Sequence, residues 1–142
     1  SDEAALAALD RFDFDTVMLP LNWVTWYAGG FGRRTVAAAQ DRGVGILALK
    51  SLARTTVPDG RNPPYSKCWY VPHDRQEDVD LCIRFTLGLP VTAAVPPGEE
   101  RLWRMALRAA ESYEPLTEAE RAELENRAGR LRPVFATPSN HW

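Results

Sequence analysis

The stretch Phe14-Asp15-Thr16-Val17-Met18-Leu19-Pro20-Leu21-Asn22 decides how this chain is read, because two later stretches echo it. They are Gly43-Val44-Gly45-Ile46-Leu47-Ala48-Leu49-Lys50-Ser51-Leu52 and Leu89-Pro90-Val91-Thr92-Ala93-Ala94-Val95-Pro96. Each is a short, β-prone apolar run followed by a loop and then a helical pattern. Strands that alternate with helices define βα units and a parallel sheet. Strands covered on both faces read as nearly continuous apolar runs, and the C-terminal ends of such strands are where chemistry is mounted.

Working outward, the predicted strands are residues 14–19, 44–49 and 91–95. Ser1-Asp2-Glu3 supplies a cap and first-turn acids for a helix running to about residue 9. Residues 23–32 read as a loop rich in aromatics and glycine. A helix over 33–42 ends at Gly43, a suitable C-cap. Residues 53–73 form the longest irregular stretch, with Pro58, Gly60, Pro63, Pro64 and Pro72. Asp74 is placed to cap a helix over 75–87, and Pro96-Pro97-Gly98 turns the chain into another over 99–111. Thr117 and Glu120 have the spacing of a capping box for a last helix to about residue 131. Pro133 ends it, and residues 136–142 read as a tail.

Composition narrows the function classes. The 142 residues carry a net charge of -2, with 45% hydrophobic and 25% charged residues, the balance of one ordinary globular domain over 1–142. There is no basic excess to hold a phosphate backbone, so no nucleic-acid partner is expected. No apolar run reaches membrane-spanning length and no secretory signal is visible. Cys68 and Cys82 are read as reduced thiols, which points to a cytoplasmic protein. Their spacing with His73 matches no compact zinc pattern, so no metal site is expected. His141 falls in the tail. The aromatic cluster Trp23, Trp26, Tyr27 and Phe31 fits a pocket wall or a plug of core aromatics under a loop.

Four local patterns, in this order, resemble the C-terminal half of an aldo-keto reductase. They are Phe14–Asn22, Gly43–Leu52, Pro90–Gly98 and the Tyr-x-Pro-Leu-Thr-x-x-Glu helix start at residues 113–120. The resemblance implies a partial (β/α)₈ TIM barrel, the last three strand-helix units plus a C-terminal helix. A whole barrel takes about 250 residues, and Ser1 stands first here, so the expectation is a piece of a longer reductase. The resemblance also implies NADP or NAD as cofactor and a small aldehyde or ketone as substrate. The family's catalytic Asp, Tyr, Lys and His lie on earlier strands, so no catalytic residue is carried over. Tyr27, Lys50 and His73 are the right residue types in other places.

Cofactor-binding residues implied by the resemblance are Lys50, Ser51 and Leu52 after the second strand, and Pro96, Gly98 and Arg101 around the third strand's loop and helix. Ser51 and nearby N–H groups can donate to phosphate oxygens, and the helix N-terminus after Gly98 suits an anion. Three departures stand beside this. Lys50 replaces an aromatic that stacks on nicotinamide in many members, although some bacterial relatives also have Lys. Glu99 and Glu100 occupy the place where many members offer a cation to a 2′-phosphate, leaving Arg101 or Arg104 to compensate. Met18 replaces a Gln that hydrogen-bonds the nicotinamide amide. The second reading is therefore a non-catalytic half-barrel that binds, regulates or self-assembles through exposed strand edges.

Overall fold

A computed structural model describes residues 1–137. Its elements in chain order are α1 (Asp2–Arg11), β1 (Thr16–Pro20), α2 (Trp23–Tyr27), α3 (Arg33–Asp41), β2 (Gly45–Leu49), β3 (Ala53–Thr56), β4 (Tyr70–Pro72), α4 (Gln76–Leu87), β5 (Ala93–Ala94), α5 (Glu100–Glu111) and α6 (Glu118–Ala128). The protein is a mixed α/β fold with two open sheets. One is parallel, in the order β1-β2-β5, and the other is the antiparallel pair β3-β4.

The parallel sheet sits where the three apolar runs lie. Thr16 pairs with Gly45 and Pro20 with Leu49, while Leu47 and Ala48 pair with Ala93 and Ala94. The third strand is two residues long rather than the expected five. Because paired residues in a parallel ladder share a face, Leu19, Ile46 and Ala48 all point to one side, where they pack with Val36 and Ala39 of α3. Strands used in sequential order, joined by crossovers of one hand, put their helices on one face. The opposite face carries the row Met18, Leu47, Ala93. There Met18 is 55% exposed, Leu47 is half-buried and Ala93 is exposed.

A larger core joins α2, α4, α5 and α6 to the hairpin. It holds Trp23, Phe85, Leu102 and Leu124, each almost fully buried. Helix ends follow local chemistry. After α3, Gly43 takes φ +69, Val44 N–H donates to Ala39 and Gly43 N–H to Gln40, the paired bonds of a Schellman motif. The capping box forms at α6, and its Glu120 also accepts two bonds from Arg84 of α4, each 2.7 Å. The Arg84 bonds, with those from Thr117, hold the Glu120 carboxyl down at about 2. Asp74 does not cap α4; Arg75 occupies that position with no side-chain bond.

Two corrections concern loops. Residues 23–27 form a helical turn, because the Asn22 side chain accepts from Thr25 N–H at 2.8 Å and its amide donates to Lys50 O at 3.2 Å. Within 53–73, β3 and β4 pair and close the core over Ala53 and Tyr70. The beginning of the expected tail is also tied down: Thr137 N–H donates to Gly29 O at 2.8 Å. Residues 138–142, with His141, lie outside the described residues.

The close approach of that segment makes Gly29 irreplaceable. A Cβ there would lie 2.3 Å from Phe135 O and 2.6 Å from Thr25 O, both backbone atoms. Gly29→Ala should therefore lose about 1–3 kcal/mol in urea unfolding, the range for overpacking a tight site.

Candidate functional site

The C-terminal ends of β2 and β5 meet a loop from the hairpin connection. Leu49, Lys50, Val95, Pro96, Pro97 and Gly98 line a cavity of about 150 Å³, together with Lys67 and Tyr70. Leu49 and Val95 belong to the same side of the sheet as Met18 and Leu47, so the cavity lies at the C-terminal end of the bare face.

Lys50 is held in an uncommon conformation, φ +58, which side chains other than glycine seldom adopt. The turn is pinned by its carbonyl, which accepts from Asn22 Nδ2 and from Ala53 N–H at 2.9 Å. Its ammonium lies 5.1 Å from the Trp69 ring centre and 5.3 Å from that of Tyr70. Aromatic faces attract a cation at such distances. Lys67 Nζ donates to Gly98 O at 3.2 Å, while Glu99 turns away to accept from Lys67 N–H at 2.7 Å and Ser66 Oγ at 3.3 Å. The Glu99 carboxylate is thus engaged by the loop, Lys67 sits at the start of α5, and Lys50 lines the same cavity. Burial pushes the Tyr70 hydroxyl up, so it stays protonated.

The expected cofactor residues separate into four places. Lys50, Pro96 and Gly98 share the cavity just described. Ser51 and Pro96 line a neighbouring apolar cavity of about 110 Å³, walled by Ile83, Leu87, Ala106 and Leu107. Ser51 Oγ is fully buried there without a hydrogen-bond partner among the described residues. Leu52 is a core residue with no exposed surface, so only its backbone can serve a site; its carbonyl already accepts from His73 N–H. Arg101 is elsewhere: it donates to Tyr65 Oη at 3.3 Å and Asp74 O at 3.4 Å. Arg104 pairs with Glu100, one turn earlier on α5. Sequence reasoning missed Lys67, Trp69 and Tyr70, which lie in the stretch read as irregular.

Other expected chemistry resolves into packing. Trp23 is buried, and Trp26 and Tyr27 pack on Phe85. Phe31 instead lies against Phe135. Cys68 and Cys82 are both free and buried, and burial pushes the Cys82 thiol up to about 12. Among the described residues no three His, Cys, Asp or Glu side chains gather as metal ligands, and no helix is long and apolar enough to cross a membrane. Comparison with protein-family models, with curated proteins and with solved structures found no match.

Proposed function

We propose that this chain is the cofactor-side wall of a (β/α)₈ barrel oxidoreductase similar to the aldo-keto reductases, one that reduces aldehydes or ketones with NADPH or NADH. The observation that carries the reading is the three-stranded parallel sheet in sequential order with its helices on one side and an apolar row left bare on the other. Parallel sheets occur almost only with both faces covered. In a closed barrel the bare face is the interior, filled by side chains from every strand. The cavity at the C-terminal end of that face is where such a barrel holds its ligand. Its two lysines and the start of α5 suit the cofactor's pyrophosphate.

Lys50 and Lys67 would contact the phosphates, and Trp69 would shield them from water. On this reading the family's catalytic Asp, Tyr, Lys and His lie on earlier strands, so the chain alone is expected to be inactive. Met18 favours a second reading, a non-catalytic wall, because a thioether donates no hydrogen bond to a nicotinamide amide. The test is binding of NADPH to the 142-residue chain, read by cofactor fluorescence, beside NADPH oxidation with a panel of aldehydes. The expected result is weak binding, no turnover, and a complex about a hundredfold weaker or more in Lys50→Met with Lys67→Met, since each charged hydrogen bond lost contributes about 1.5–3 kcal/mol. Turnover by the chain unaided, or binding unchanged in the double variant, would sink the proposal.

A further inference from the structure

A second concentration of positive charge lies away from the bare face, where β3, α6 and the end of β4 come together. Arg54, Arg127, Arg130, Leu131 and His73 line an open depression of about 170 Å³. His73 forms its floor. The imidazole is 4% exposed, stacks on Trp23 with ring centres 5.2 Å apart, and has an Nε2 that is buried without a hydrogen-bond partner among the described residues.

The surrounding charges are unbalanced. Arg127 donates to Asp78 at 2.6 Å and lies 5.4 Å from the Trp23 ring centre. Asp78 thereby answers one of the three guanidiniums, and Asp74 is the other carboxylate near enough to act on His73. Among the described residues neither Arg54 nor Arg130 has a carboxylate partner, and both are exposed. A chain of net charge -2 thus lines one depression, beside a buried imidazole, with three arginines. Guanidinium groups present paired donors that match a tetrahedral oxyanion. Arg127 is placed by Asp78 and Trp23, but no such partner accounts for Arg54 and Arg130 among the described residues, and like charges side by side repel.

We infer that Arg54, Arg127, Arg130 and His73 form a binding site for a phosphate-type oxyanion, separate from the cavity at the sheet's end. The anion would bridge the exposed Arg54 and Arg130 across the mouth and take the unused donors of Arg127, lying over the edge of the His73 imidazole that lines the depression. Its chemistry is that of inorganic phosphate or of a phosphate monoester.

The test is an NMR titration of the full chain, following the His73 imidazole, which is identified by its loss in His73→Phe. Sodium phosphate is compared with sodium chloride at equal ionic strength. The expected result is a saturable shift with phosphate alone and a dissociation constant raised about tenfold or more in Arg54→Ala with Arg130→Ala, whose exposed positions leave the core untouched. Glycerol 2-phosphate in a parallel titration separates the sources: tighter binding than phosphate identifies an ester, and weaker binding identifies the free ion. No saturable shift with either, or the same shift in the double variant, would overturn the inference.

Discussion

Replacing His73 with phenylalanine should remove a loss of about 3 kcal/mol that the native chain suffers between pH about 6.5 and about 4. Burial is the main cause: it disfavours the charged imidazole and takes the folded-state value from 6.5 down to about 4, with Arg54 and Arg127 pushing the same way against Asp78 and Asp74. In the unfolded chain His73 titrates near its ordinary value. Between the two values the unfolded state holds a proton that the folded state refuses, so stability falls as pH falls. The contribution is whole above about 6.5 and lost by about 4. A phenylalanine fills similar space against Trp23, titrates nowhere, and leaves no orphaned Nε2.

The carboxylates act in the same direction at lower pH. Burial opposes the charge on Asp78, but the Arg127 hydrogen bond and nearby positive charge hold its carboxyl below the ordinary range, and Glu120 is held at about 2. Those groups remain in the variant, but Asp78 and His73 act on each other, so the difference between the two proteins reports the imidazole together with its coupling to Asp78. Urea unfolding at several pH values, in buffers free of phosphate and sulfate, measures it. Equal slopes of stability against pH in the two chains would show that His73 is charged in the fold or open to water. Phosphate should shrink the difference, because an oxyanion in the depression favours the protonated ring.

How much of this was legible in the sequence depends on whether the information is local. The strands β1 and β2 announce themselves because their residues, Val17-Met18-Leu19 and Ile46-Leu47-Ala48-Leu49, make continuous apolar runs. The capping box at Thr117 and the glycine after α3 are equally local, and both form. By contrast, β3 and β4 owe their existence to each other. Ala53-Arg54-Thr55-Thr56 and Tyr70-Val71-Pro72 are separated by a proline-rich connection, and no periodicity within either reveals the pairing. The site inherits that blindness. Lys50 could be found as the residue ending a strand, but Lys67, Trp69 and Tyr70 reach it only through the hairpin connection. The helical turn α2 had a readable signal, Asn22 three residues before Thr25, which the run of aromatics obscured.

Aspartate at position 18 should leave the folded chain nearly as stable as before yet weaken association through the bare face by about a hundredfold or more. Met18 is 55% exposed in the middle of an edge strand, and substitutions at such surface positions usually cost within about 0.5 kcal/mol. If another sheet or a second copy covers the face, the same side chain becomes buried beside Leu47. Burying a methionine contributes about 1.5–3 kcal/mol, and an unpaired buried carboxylate costs several kcal/mol more. A difference near 3 kcal/mol already exceeds a hundredfold in affinity. The chain should satisfy this face and the free edges of β1 and β5 by self-association. Sedimentation equilibrium of the native chain and of Met18→Asp at equal concentration makes the comparison. Native oligomers that dissociate in the variant, with unchanged urea midpoints at low concentration, would tie association to the sheet face. A native chain that stays monomeric at high concentration would mean that a half-exposed methionine row is tolerated in water, and the main support for a missing barrel wall would fall with it.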